Sequence, residues 1–236
     1  MQPPPSNRQQ RRQLQKQARK QSGLPLDPAQ QASMRQGVVL QQAGRFAEAR
    51  QLYQQILTAA PEQPDALHML GVLEAQAGNA EPALALIERA IRQRPSQASY
   101  YCNLGRVQRT LDRQADAIAS FRQAIALDAR FAPAYNYLAN ALADRGDMEE
   151  ALSLYDQAIA ADPKNVSALV NLGIALKGLG RLDEAVATYQ RAIAINPNYA
   201  EAHSNLGVAL RQQGRTVEAI AAHEQALAIN PKLLRS

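Results

Sequence analysis

A spacing of 34 residues recurs along the chain and constrains its fold more than any other feature. Five prolines stand on this spacing, and alanine takes the one missing place. These residues are Pro61, Pro95, Ala129, Pro163, Pro197 and Pro231. In rows of 34 that begin at residues 30, 64, 98, 132, 166 and 200, place 20 is always alanine and place 8 is glycine in five of the six rows. Because a period of roughly 20–50 residues is typical of stacked repeats, we expect six such units.

Each row predicts two helices. In the fifth row, Leu169, Leu172 and Leu176 recur at the spacing of one helical face. Glycine at place 15 of five rows can adopt the left-handed conformation that ends a helix, and the proline at place 32 breaks the second helix. Small residues at places 8 and 20 predict close helix packing, with a Tyr, Phe or Ile at place 24 of five rows filling the gap. One such pair cannot bury its apolar face alone, so neighbouring pairs must stack.

This pattern strongly resembles the tetratricopeptide repeat family, as in AHSNLGVALRQQGRTVEAIAAHEQALAINP from Ala202 to Pro231. The resemblance implies an all-α fold, an α-solenoid of six stacked helix-turn-helix repeats that form a right-handed superhelix with a concave groove. The predicted repeats are residues 30–63, 64–97, 98–131, 132–165, 166–199 and 200–233, followed by a C-terminal stub, residues 234–236. Three positions depart from the family pattern, since Gln36, Glu74 and Gln108 stand where large apolar residues are usual.

The composition argues against catalysis and against a metal or cofactor. The chain has one cysteine and three histidines, too few for a disulfide framework or a cysteine-based zinc site. Cys102 has no adjacent histidine, and His68, His203 and His223 are expected to have packing roles. We therefore expect no enzyme activity and no cofactor. No stretch resembles a signal peptide or a membrane span, which favours a cytoplasmic location.

The net charge of +5 comes from the first 29 residues. This tail holds six basic residues and one acidic residue, while the rest of the chain holds 20 of each sign. Because it is rich in glutamine and proline, residues 1–29 are expected to form a disordered, solubilising arm. The alternative is an arm that binds a polyanion such as nucleic acid or acidic lipid.

Function is expected from the face of each first helix that packing leaves over. Places 2, 5, 9 and 12 lie opposite the predicted core stripe, and places 6 and 13 flank it. Place 6 carries Asn103, Asn171 and Asn205, whose amides can pair with a peptide backbone whatever its sequence. This row resembles the repeat region of O-linked N-acetylglucosamine transferase, where groove asparagines hold extended polypeptide. The alternative is that asparagine merely suits the contact between repeats.

The other predicted groove residues add basic and aromatic character. The complete predicted peptide-binding set is Asn103, Tyr137, Asn140, Asn171, Asn205, Arg106, Arg109, Lys177 and Arg211. Its basic members slightly favour acidic ligands. The dicarboxylate clamp of chaperone-binding family members is not expected. Asn140 and Asn171 match its asparagine pair, but Asn136, Glu201 and Asn205 stand where that clamp has basic residues.

The sequence therefore predicts a protein-interaction scaffold that binds an extended polypeptide segment in the groove. One alternative is a substrate-recruiting repeat region of a larger glycosyltransferase or sulfotransferase. Another is a self-assembling scaffold, because the last repeat carries Ile220 and Leu227 without a polar capping helix after them. That uncapped repeat could support a homo-oligomer.

Overall fold

A computed structural model describes residues 26–232, and within that range the chain contains twelve α-helices and no strand. The predicted disordered or polyanion-binding arm, up to residue 25, and the stub at residues 234–236 lie outside the described residues. The first helix begins at Pro28, so residues 28 and 29 belong to the first repeat and not to the tail. The side chain of Asp27 caps this helix by accepting a hydrogen bond of 2.7 Å from the backbone nitrogen of Gln30.

Within residues 26–232 the chain divides into two compact units, with the boundary between residues 127 and 128. The described helices of the first unit pair in sequence and are α1 (Pro28–Gln42), α2 (Phe46–Ala59), α3 (Pro64–Gln76), α4 (Ala80–Gln93), α5 (Ala98–Thr110) and α6 (Gln114–Leu127). Each first helix packs on the second helix of its own repeat, and α2 and α4 also contact the first helix of the next repeat. The first helices contact each other too, α1 with α3 and α3 with α5.

The second unit repeats this arrangement. Its helices are α7 (Ala132–Arg145), α8 (Met148–Ala161), α9 (Val166–Gly178), α10 (Leu182–Ile195), α11 (Ala200–Gln212) and α12 (Thr216–Ile229). The pairs α7–α8, α9–α10 and α11–α12 form the hairpins, and α9 contacts both α7 and α11. The prediction of an all-α solenoid of helix pairs is confirmed.

The turn inside every helix pair contains one residue with positive φ at place 15, as the sequence predicts. The values are 75° at Gly44, 85° at Gly78, 58° at Asp112, 97° at Gly146, 74° at Gly180 and 78° at Gly214. Asp112 shows that the third repeat forms the same turn without glycine, since aspartate tolerates the left-handed region better than most residues do.

Close packing inside each pair depends on place 8 and place 24. A Cβ atom built on Gly173 would lie 2.4 Å from Cε1 of Tyr189, and one on Gly105 would lie 2.6 Å from Cε1 of Phe121. These aromatic rings are fully buried and occupy the space that glycine leaves open. The predicted contact between small residues and a large residue at place 24 is confirmed.

The apolar core joins successive repeats. In the first unit, Leu84 and Ile87 of the second repeat lie in one cluster with Leu104 and Val107 of the third. Because each cluster draws on two repeats, a single helix pair leaves apolar surface uncovered. The side chains of each first helix that point away from this core form a surface open to a ligand.

Candidate polypeptide-binding surface

Each unit presents a surface built from its first helices. We call these surfaces the first-helix walls: α1, α3 and α5 form the wall of the first unit, and α7, α9 and α11 form that of the second. Places 6, 9, 12 and 13 of each repeat lie on the wall, and most of their side chains are half-buried or exposed. These are the positions from which a side chain can reach a bound chain.

Side-chain hydrogen bonds join neighbouring first helices at a constant separation of 35 residues. Gln41 Nε2 donates to Gln76 Oε1 at 2.7 Å. Asn171 Nδ2 donates to Asn136 Oδ1 at 3.1 Å, and Asn103 Nδ2 lies 2.9 Å from His68 Nε2. Since the repeat is 34 residues long, each bond connects one place with the following place of the next repeat. The wall therefore has its own polar network, which holds the stack together.

The prediction that place 5 faces the groove is wrong. His68, Cys102, Asn136 and Val170 occupy this place in the four middle repeats and are all buried, while Met34 and Ser204 in the first and last repeats are half-buried. Place 5 faces place 6 of the next first helix, as the bonds from His68 and Asn136 show. Burial raises the pKa of the Cys102 thiol to about 12, so this cysteine is a neutral packing residue.

His68 is the acceptor that holds Asn103. Burial lowers the pKa of its imidazole to about 4, so the ring is neutral at neutral pH, and it stacks on the Tyr100 ring with centroids 4.4 Å apart. A neutral Nε2 without hydrogen accepts from Asn103, which assigns the proton to Nδ1. Asn103 Oδ1 in turn accepts from Arg106 Nη1 at 3.1 Å. One N–H and one lone pair of the Asn103 amide remain for a ligand.

The three predicted asparagines at place 6 differ in how many of their hydrogen-bonding groups pair with a neighbouring repeat. The side chain of Asn171 donates one N–H to Asn136 and makes no other hydrogen bond within residues 26–232. Asn205 follows a repeat in which place 5 is Val170, which offers no polar group, and its side chain has no hydrogen-bond partner in the described part of the chain. Contacts between repeats therefore use some of the hydrogen-bonding groups of Asn103 and Asn171, but none of those of Asn205.

Asn140 is tied to its own repeat. Its Oδ1 accepts from the hydroxyl of Tyr155 at 2.6 Å, just as Gln41 Oε1 accepts from the hydroxyl of Tyr53 at 3.1 Å. In the fifth repeat the hydroxyl of Tyr189 is buried without a partner among the described residues. Sequence reasoning missed this role of the wall amides, although the tyrosine at place 24 of three repeats was the available signal.

The remaining predicted residues lie on the walls as expected from their places. Tyr137, Arg109 and Lys177 are half-buried, while Arg106 and Arg211 are exposed. In the first unit, places 6, 9, 12 and 13 of all three repeats hold no acidic residue and include Arg35, Arg106 and Arg109. Asp65, at place 2, is already paired with Arg94 at 2.7 Å and with the hydroxyl of Tyr100 at 2.5 Å. At these four places the wall of the first unit therefore carries basic side chains on its outer helices α1 and α5 and none on α3.

A pocket opens on the wall of the first unit, between α3 and α5. Its volume is about 140 Å³. Apolar atoms come from Val72, Ala75, Ile87 and Val107, and polar atoms come from Gln76, Asn103, Arg106 and Thr110. Asn103 and Arg106 were predicted from the sequence as ligand-binding residues, but the pocket itself was not predicted. Its signal was Ala75 at place 12, where the third, fifth and sixth repeats carry long basic side chains.

Among residues 26–232, no group of three His, Cys, Asp or Glu side chains is placed to hold a metal ion. No helix in that range is long and apolar enough to cross a membrane.

Models of the tetratricopeptide repeat match most of the chain. One matches residues 11–64, 34–98 and 68–134. A second matches residues 139–180 and 175–214, and a third matches residues 200–233. These are general models of the repeat and show no special closeness to O-linked N-acetylglucosamine transferase. No curated protein matches the chain in sequence.

Several solved structures are similar to this one. A thermophilic repeat protein of Thermus thermophilus, TTC0263, has a TM-score of 0.69 and 25% identity over 77% of this chain and 99% of its own. PilF of Pseudomonas aeruginosa has a TM-score of 0.74 and 15% identity over 86% of this chain and 92% of its own. YrrB, described as having an unusual peptide-binding site, has a TM-score of 0.56 and 21% identity over 76% of this chain and 92% of its own. The last two likenesses concern the fold alone.

Proposed function

The chain belongs to the tetratricopeptide repeat family, and we propose that it is a scaffold that binds an extended polypeptide segment along its first-helix walls. The repeat is generally a non-catalytic, protein-interaction fold, and no enzymatic domain is evident in residues 26–232. The similar structure YrrB, whose description includes a peptide-binding site, supports a peptide as the ligand.

The amides at place 6 are the observation that carries this proposal. Asn171 and Asn205 hold the same place in successive repeats of the second unit, and both retain hydrogen-bonding groups that no described residue uses. An extended chain exposes N–H donors and C=O acceptors along its length, and an amide side chain can pair with either. Half-buried amides in a regular row suit a backbone better than they suit an isolated small molecule.

Charge on the walls indicates which segments bind best. Lys177 and Arg211 stand at place 12 of the same two repeats, six residues beyond the asparagines. A segment with acidic side chains would meet these cations while its backbone pairs with the amides. We expect such contacts to raise the association rate and to weaken with added salt.

The test uses a peptide selected from a displayed random library with the full chain. Its dissociation constant is measured for the wild type, for the double variant Asn171→Ala/Asn205→Ala, and for the control Gln190→Ala/Gln225→Ala. The control removes two exposed amides from the second helices α10 and α12. We expect the wall variant to bind about thirtyfold more weakly, the effect of losing two hydrogen bonds of about 1 kcal/mol each, and the control to bind like the wild type. Equal affinity for all three proteins would contradict the site.

Self-assembly is a second candidate function, favoured by the exposure of Ile220. At the same place, Leu84 and Val186 are only 7% and 5% exposed, whereas Ile220 is 53% exposed. Leu84 packs against Leu104 and Val107 of the following repeat. A second copy of the chain that supplied such a surface would bury Ile220 in the same way.

Sedimentation equilibrium over a range of concentrations tests this second candidate. Ile220→Glu should shift the protein to monomer, while the control Ala221→Glu should not, because place 22 is exposed in every repeat. A wild type that remains monomeric at all concentrations would count against self-assembly.

A further inference from the structure

The pocket on the wall of the first unit has a definite physical origin. Val72 and Ala75 line α3 one turn apart, and Val107 of α5 faces them across the gap, with Ile87 below. Place 12 of the third repeat is Arg109, and in the fifth and sixth it is Lys177 and Arg211. The short side chain of Ala75 at this place leaves open the space that a longer one would take.

The size of the pocket limits what can enter it. Its volume is about 140 Å³, close to the roughly 150 Å³ of an engineered cavity that accepts benzene. A side chain of the size of leucine, methionine or phenylalanine matches this volume, and the two rings of tryptophan exceed it. Because four of the eight lining residues are apolar, namely Val72, Ala75, Ile87 and Val107, an apolar side chain gains from entering and a charged one does not.

The other four residues that line the pocket are polar: Gln76, Asn103, Arg106 and Thr110. The Gln76 carbonyl accepts from Gln41, and its own Nε2 has no partner among the described residues. Asn103 retains one N–H and one lone pair, as described above. Arg106 also lines the pocket and brings a positive charge to it. These polar side chains can therefore pair with a backbone and with a carboxylate beside it.

We infer that this pocket is a specificity site that takes one apolar side chain, no larger than a phenyl ring, from a bound segment in which an acidic residue follows. This inference rests on the proposed function, because it needs an extended chain on the wall. Hydrogen bonds from the wall amides to a peptide backbone would tolerate many sequences. The pocket would add a preference for one kind of side chain, and the side chain that enters it would fix how the bound segment is aligned along the wall.

The test uses an array of synthetic nonapeptides in a Gly/Ser context. The fifth residue is Leu, Ile, Met, Phe, Trp, Lys or Gly, and the sixth is Asp or Lys. Binding to the full chain is compared for the wild type, for Ala75→Leu, which fills the pocket, and for Ala143→Leu, the same change at place 12 of the fourth repeat. Val72→Phe fills the same space from one turn earlier in α3 and serves as the second filling variant. Circular dichroism confirms that each variant is folded.

The wild type and Ala143→Leu should bind peptides with Leu, Ile, Met or Phe about tenfold more tightly than those with Gly, Lys or Trp, the order expected for burying an aliphatic side chain. Both filling variants should lose this preference while still binding the array weakly. Changing the sixth residue from Asp to Lys should weaken wild-type binding, and Arg106→Gln should abolish that difference.

Two results overturn the inference, and they can be told apart. If peptides bind but the preference is absent, or survives in both Ala75→Leu and Val72→Phe, the pocket is not a specificity site and the proposed function stands. If no peptide of the array binds the wild type, the inference fails together with the proposal that the walls hold extended chains.

Discussion

The side-chain Nδ2 of Asn171 donates a hydrogen bond of 3.1 Å to the side-chain Oδ1 of Asn136, which lies 35 residues earlier on the neighbouring first helix. The bond shows that an asparagine at place 6 can stabilise the stack and still offer a free N–H and a carbonyl to a ligand. The same side chain can therefore contribute both to the stability of the stack and to ligand binding. Substitutions of this asparagine in different repeats separate the two roles.

The comparison between Asn171 and Asn205 separates them. Asn171→Ala removes the bond to buried Asn136, so we expect the free energy of unfolding to fall by about 1–2 kcal/mol. Asn205→Ala removes no hydrogen bond within residues 26–232 and should change it by less than about 0.5 kcal/mol. Urea denaturation followed by circular dichroism measures both. Equal losses for the two variants would show that Asn136 and Asn171 are not coupled.

The tyrosines at place 24 give a second matched set. Tyr155→Phe removes a hydroxyl that donates to Asn140 at 2.6 Å, and the expected loss of stability is about 1 kcal/mol. Tyr189→Phe removes a buried hydroxyl that has no partner in the described part of the chain, so it should be neutral or stabilising by up to about 1 kcal/mol. The melting temperatures of the two variants, compared with that of the wild type, measure both effects. If Tyr189→Phe is as costly as Tyr155→Phe, a group or water must bind the Tyr189 hydroxyl.

The close approach within each helix pair predicts the effect of a single methyl group. Gly173→Ala places a Cβ atom 2.4 Å from the Tyr189 ring, which is fully buried, and should destabilise the protein by about 1–3 kcal/mol. Gly178→Ala, five residues later in the same helix, meets no atom within 4 Å. That control should be neutral or stabilising by up to about 1 kcal/mol, because alanine restricts the unfolded chain. Equal effects of the two changes, measured by urea denaturation, would contradict the packing described.

Stability should fall with acid because of His68. Burial lowers the pKa of its imidazole from 6.5 to about 4 in the folded protein, so between these values the unfolded chain binds a proton that the folded chain does not. The free energy of unfolding should therefore decrease as pH falls from 6.5 to 4, with a contribution approaching about 1.4 kcal/mol per pH unit. His68→Gln should reduce this slope, as measured by urea denaturation at several pH values. An unchanged slope would mean that other groups cause the acid sensitivity.

The helix pairs could be predicted from sequence because their contacts are local and repeated. The close packing of Gly173 on Tyr189 and the left-handed turn at Gly180 follow from residue types that recur in nearly every row. Asp112 departs from the glycine pattern, yet it adopts the same turn with φ of 58°. These features depend on one hairpin only, so the sequence of one row contains the whole signal.

The contacts between repeats were harder to predict. The burial of place 5, seen at His68 and Asn136, depends on the one-residue offset between neighbouring first helices, which no single row encodes. The pocket beside Ala75 depends on the same offset, because its walls come from two repeats. The alignment of the repeats predicted the wall asparagines. It could not distinguish Asn205, which has no partner in the described residues, from Asn171, which has one.

The proposal that the first-helix walls hold an extended chain is tested most directly by the side-chain amide resonances of the asparagines. With a selected peptide at saturation, the account predicts that the side-chain NH₂ signals of Asn171 and Asn205 shift, and that those of Gln190 and Gln225 on the second helices do not. Shifts confined to the second helices, with the two asparagine signals unmoved, would contradict it.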